Sequence, residues 1–119
     1  MQTDDRDAGY LWDIVDAARA VQGFVVGVSF EGYLGSRMLQ AAVERNVEII
    51  GEAARKLSRQ FKDGHPEIPW QSIVAQRHVL AHEYGEIKQD RIWRVATVHI
   101  PDLIAKLEPL IPPEPPADP

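Results

Sequence analysis

The sequence predicts an all-α fold, an antiparallel four-helix bundle with one short extra helix. Three observations point to it. Apolar residues recur at three- and four-residue steps along most of the chain, no stretch sustains strand alternation, and the connections between the helical stretches are mostly short. No internal repeat is present.

The first helix opens at Asp4/Asp5, both suited to an N-cap, and carries Leu11, Ile14, Val15, Ala18, Val21 and Val25 as its apolar stripe. The Gly-rich stretch 27–35 interrupts that pattern and leaves room for one short turn around Phe30–Leu34. Ser36 is a good N-cap for a long helix with Leu39, Ala42, Val43, Asn46, Ile49, Ile50, Ala53 and Leu57 inward, expected to run up to the turn Asp63-Gly64-His65-Pro66. Ile68-Pro69-Trp70 opens the next helix, with Ile73, Val74, Val79 and Leu80 on its apolar face and Gly85 as the expected stop. The last helix is expected from about Asp90, with Ile92, Trp93, Ala96, Ile100, Leu103, Ile104 and Leu107 inward and a kink at Pro101, whose ring removes a backbone hydrogen bond. Beyond Ile111 five prolines in eight residues cannot be helical, so one helical domain over 1–111 and an extended, mobile tail over 112–119 are expected.

Length and composition narrow the function classes. A chain of 119 residues fits a single domain that buries about two-thirds of its unfolded surface. With no cysteine, disulfides, thiolate zinc sites and thiol nucleophiles are excluded. The acidic start MQTDDRDAGY does not resemble a secretory signal, and no apolar run approaches the ~18 residues of a membrane span, so a cytoplasmic location without membrane contact is expected. The net charge of −5 is uneven: residues 1–35 carry −4, 36–99 carry +2 and 100–119 carry −3. That balance argues against broad coating of nucleic acid but allows a small anionic site built from a few arginines.

Several chemistries lack their residues. No Glu-x-x-His pair, P-loop, Gly-x-Gly-x-x-Gly or Gly-x-Ser-x-Gly elbow occurs. His78 and His82 are spaced to share a metal, but Val79 follows His78 where a zincin needs Glu, so neither a metal site nor a cofactor is expected. Glu44, Glu48 and Glu52 form a row on one helical face, relieved by Arg45, Arg55 and Lys56; a solvated face is expected there, with a contact surface for a basic partner as the sharper alternative. Trp12, Trp70 and Trp93 are expected in the core or an interface.

The segment Arg77-His78-Val79-Leu80-Ala81-His82-Glu83-Tyr84 stands apart, with a guanidinium, two imidazoles and a phenol at the end of a helix. RNA cleavage needs a base for the 2′-hydroxyl proton and a fixed cation for the charge building on phosphorus; histidine suits the first task and arginine the second. Five helical steps place Arg77 and His82 about 140° apart, so they converge only if the helix ends between them or a second copy completes the site. On chemistry alone, a capped helix end with exposed polar groups is the better explanation of the segment.

Arg77-x4-His82-x-Tyr84 resembles the signature of the HEPN superfamily, in particular its HepT-type toxins. The likeness extends through Leu11-Trp12-Asp13-Ile14, residues 45–54 (RNVEIIGEAA), Ile68-Pro69-Trp70, Ile92-Trp93 and Ile100-Pro101-Asp102-Leu103, which is nearly the whole chain up to the proline tail. It implies a HEPN-like bundle, a homodimer that brings two motif copies into one cleft, and metal-independent RNase activity, with transfer RNA among the family's substrates. By this likeness Arg77 holds the scissile phosphate, His82 is the general base or acid, and Tyr84 receives AMP from a minimal nucleotidyltransferase (MNT-type) antitoxin, which silences the toxin. The family commonly has Asn after the motif arginine, where His78 stands here. His78 therefore supports His82, replaces an amide hydrogen bond, or weakens catalysis. The alternative is a non-catalytic helical subunit that docks a nucleotidyltransferase and presents a substrate.

Overall fold

Asp4 starts the first helix as its chemistry predicts: its side chain accepts the Arg6 N–H at 2.7 Å, and α1 runs over Asp5–Val25. The computed structural model of the chain describes residues 4–112, so all but the first residue of the expected tail over 112–119 lies outside the described residues. All six apolar positions of the α1 stripe are buried. After Gly27, which takes φ +73, Ser29 caps a single short helix, α2 (Phe30–Leu34), and Ser36 caps α3 (Arg37–Lys56) through the Leu39 N–H at 3.1 Å.

The end of α3 departs from expectation. Instead of reaching Asp63, the helix stops at Leu57, and a second short helix, α4 (Arg59–Gly64), begins with Ser58 as its cap. The cause lies in α1. Asp7, only 5% exposed, accepts the Ser58 N–H at 2.8 Å and the Ser58 hydroxyl at 2.6 Å, while the same hydroxyl accepts the Phe61 N–H at 3.1 Å. Ser58 is thereby held out of α3, and the start of α1 is tied to the end of α3, so the two run antiparallel. The bundle thus has two short extra helices, α2 and α4, rather than one.

α5 (Trp70–His82) follows Pro69. Trp70 is buried and donates its indole N–H to the His65 carbonyl at 3.0 Å, fixing the turn before the helix. Gly85 does not stop this helix. α5 ends at His82, Glu83 and Tyr84 are extended, and Gly85, at φ +64, is the first residue of α6 (Gly85–Arg94), so the last helical stretch begins five residues earlier than Asp90. The expected kink at Pro101 takes the form of a π turn over Val95–His99, in which the Ile100 N–H bonds the Val95 carbonyl, followed by α7 (Ile100–Leu107) and a 3₁₀ turn, Glu108–Leu110. Widening the helix there absorbs the proline's missing donor and the clash of its ring with the carbonyl four residues back.

The described residues are helical with no strand. Their buried apolar side chains form one cluster, led by Leu11, Ile14, Val43, Ile92, Ile100 and Leu107. Tyr33 sits wholly inside it, its hydroxyl donating to Gln89 Oε1 at 2.6 Å and its ring 5.1 Å from that of Trp93. α5 passes α3 at Gly51, where a Cβ would make ordinary van der Waals contact, 3.4 Å from the Ile73 carbonyl oxygen and 3.5 Å from Arg77 Cγ. Among the described residues no helix is long and apolar enough to cross a membrane.

Candidate active site

α5 is the least buried of the long helices, with Trp70 its one buried residue and Ile73, Val74, Val79 and Leu80 only half-covered. Its surface divides into three strips, as the helical period requires. Arg77, Leu80 and Ala81 line a cleft of about 560 Å³ against α3 and α1. Gln76 and Val79 line the opposite flank, against α6 and the π turn. Between them stand His78 and His82, one turn apart and exposed, with ring centroids 4.3 Å apart and planes tilted by 45°.

Arg77 is held in its cleft by an ion pair, Nη1 to Glu52 Oε2 at 3.2 Å. The same carboxylate takes the Arg55 guanidinium at 2.7 Å and Lys56 Nζ at 3.8 Å. The Arg55 hydrogen bond, the largest cause, together with the positive charges of Arg55, Arg77 and Lys56 keeps the Glu52 carboxyl below the usual carboxylate range, against desolvation, the second-largest cause, which pushes it up. The cleft walls include Arg45, Lys56 and Arg77 against Asp13, Glu48 and Glu52, so its charges are balanced and it does not by itself attract polyanions.

The acidic row on α3 is therefore not a freely solvated face. Glu44 binds Lys88 at 2.8 Å and accepts from Gln89 Nε2 at 2.9 Å, Glu48 binds Arg45 at 2.9 Å, and Glu52 gathers three cations. Of the tryptophans, Trp70 is buried and Trp12 and Trp93 are half-buried, the Trp12 indole Nε1 without a hydrogen-bond partner.

Within one chain the motif is split. Arg77 faces α3, and His82 pairs with His78 on the outer ridge, as the angular spacing requires. Tyr84 lies beyond the end of α5, 77% exposed, its extended backbone leading into α6. Among the described residues no group of three or more histidine and carboxylate side chains gathers as a metal site. Sequence reasoning missed Glu52 as the counter-ion of Arg77.

The family described as "Ribonuclease HepT-like" matches residues 14–110. A Thermococcus cleftensis protein named a probable ribonuclease HepT is 38% identical over 101 residues, covering 85% of this chain and 92% of that protein. A Methanocaldococcus jannaschii protein provisionally named an RNase is 30% identical over 99 residues, 83% of this chain and 91% of that one. Another provisionally named RNase, from Caldanaerobacter subterraneus, is 32% identical over 102 residues, 86% and 91% of the two chains. No solved structure matches.

Proposed function

The chain belongs to the HepT-like ribonuclease family, and from that membership we propose that it is a metal-independent endoribonuclease, the toxin of a toxin–antitoxin pair, acting as a homodimer in the cytoplasm. The observation that carries this reading is the division of α5, with Arg77 fixed on one flank and His82 on the exposed ridge. A second copy packed along the half-covered apolar positions of α5 supplies the other half of each site. The relatives' names, all of ribonucleases, weigh against the non-catalytic alternative.

In the reaction His82 takes the proton of a 2′-hydroxyl, the 2′-oxygen bonds to the adjacent phosphorus, and the bond to the 5′-oxygen breaks. The departing oxygen takes a proton from water, leaving a cyclic phosphate. Arg77, preset by Glu52, holds the non-bridging oxygens as their charge grows. His78 supports His82 through the ring contact between them. Tyr84, exposed two residues beyond His82, is the acceptor for AMP from a minimal nucleotidyltransferase antitoxin. The added phosphate competes with RNA for Arg77.

The test compares an RNA oligomer with the same oligomer carrying a 2′-deoxy sugar at the cut, each with and without a chelator. Cleavage of the all-ribose strand alone, unaffected by chelator, is expected. Cleavage that survives the deoxy substitution, or stops with chelator, contradicts the proposal.

A further inference from the structure

The flank of α5 opposite the Arg77 cleft holds a second feature. A polar pocket of about 390 Å³ lies between α5 and the last helical stretch, lined by Gln76, Val79, Asp90, Arg91, Arg94 and His99 together with Val95. Resting on the ribonuclease reading above, we propose that Arg91, Arg94 and His99 form a phosphate subsite that holds the RNA backbone beside the scissile bond.

The π turn builds this subsite. In a regular α-helix Arg94 and His99 would point about 140° apart. The hydrogen bond from the Ile100 N–H to the Val95 carbonyl spans five residues, so side chains five apart come round towards one face, and Arg94 and His99 line the same pocket. Pro101, one residue beyond the donor, is the covalent reason for the widening. Turns of this kind inside α-helices are found frequently at functional sites.

The charges favour an anionic ligand. Arg91 and Arg94 are three residues apart on one helix, a spacing at which like charges repel. Asp90 is the one carboxylate lining the pocket, and Arg91 makes only a loose pair with Glu83, at 3.6 Å. The Arg94 side chain, like those of Arg6, Arg37 and Arg59, has no ion-pair or hydrogen-bond partner among the described residues, and of these four only Arg94 lies in the pocket. Two guanidinium forks and an imidazole in a concave site suit phosphate oxygens.

The position favours RNA over an acidic protein. The pocket adjoins the ridge of His78 and His82, one strip round α5, through Val79. A strand with its scissile phosphate at His82 lays a neighbouring phosphate over this flank.

The test uses the full chain carrying His82→Ala, so that RNA stays intact, and a fluorescent single-stranded RNA as probe. Binding is titrated over a range of salt for this protein and for versions that add Arg94→Gln or Arg91→Gln. Adding Arg59→Gln, a change of one exposed arginine outside the pocket, gives the control. Each pocket substitution is expected to weaken binding to any RNA sequence and to lower the log–log salt slope by about 0.7 for each phosphate no longer neutralised. With His82 intact, Arg94→Gln is expected to raise KM and leave kcat unchanged. Slopes equal to that of the Arg59→Gln control overturn the subsite while leaving the ribonuclease reading in place. Loss of antitoxin binding with unchanged RNA binding also overturns it, in favour of a protein-docking surface. No RNA binding by any version, together with no cleavage by the His82-intact protein, overturns the ribonuclease reading itself.

Discussion

Arg77 Nη1 lies 3.2 Å from Glu52 Oε2, and this pair joins α5 to α3 beside Gly51, where the two helices meet. An arginine on a half-buried helix end has many rotamers. Glu52 selects the one that points into the cleft, and leaves the other guanidinium N–H groups for a phosphate.

Glu52→Gln therefore releases Arg77 without removing it. Cleavage is expected to fall by about tenfold, within what misplacement of a reacting group costs, while stability changes little because the pairs are exposed. The pH dependence has a definite sign. The Glu52 carboxyl is held below its ordinary range, chiefly by the Arg55 hydrogen bond, so its pairs are intact at neutral pH and persist through the usual carboxylate region near about pH 4. They are lost only as pH falls through the lowered value. The difference in melting temperature between wild type and Glu52→Gln should accordingly disappear in acid, and Glu52→Asp should restore part of the activity.

Asp7→Ala removes two charge-assisted hydrogen bonds to Ser58 from a buried site and should destabilise the fold by about 3 kcal/mol in denaturant titration. Cleavage per folded molecule is expected to stay the same, because Asp7 touches the joint between α3 and α4 and not α5. An equal loss of both would mean that the joint positions the site.

Tyr33→Phe leaves Gln89 Oε1 without its phenol donor in the core and should cost about 1–3 kcal/mol at neutral pH. Burial first, and the Glu44 charge second, push the Tyr33 phenol well above its ordinary value. The unfolded chain ionises this group near about pH 10 while the fold resists, so its contribution is complete below that pH and is lost as pH rises above it. Wild type should lose stability faster than Tyr33→Phe in alkali, measured by denaturant midpoints across that range.

How much of this was legible in the sequence depends on the range of the forces involved. α1, the short α2 and the start of α3 follow from local features: Asp4 and Ser36 as caps and apolar residues at helical spacing. The stop at Leu57 does not, because it is imposed by Asp7, fifty-one residues before Ser58. Gly85 was visible as a break, but either role, ending α5 or starting α6, fits a glycine with positive φ. Pro101 announced a distortion and left its form open, since a kink and a π turn both answer a missing donor. The motif on α5 and its angular split were legible from helical geometry, whereas the Glu52 counter-ion arises from contact between two helices, and the grouping of Arg91, Arg94 and His99 follows from the π turn, a form that a periodic pattern does not record.

The division of Arg77 and His82 between two sides of α5 makes mixing of inactive variants the most direct test of the central claim, a site completed by two copies. Arg77→Ala and His82→Ala are each expected to be inactive alone. Mixed in equal amounts and allowed to exchange, half of the dimers are hybrids, each with one site that retains both groups, so about a quarter of wild-type RNA cleavage should return. Recovery at that level, appearing at the rate of subunit exchange, is the predicted result. No recovery from a mixture shown to contain hybrid dimers contradicts the composite site.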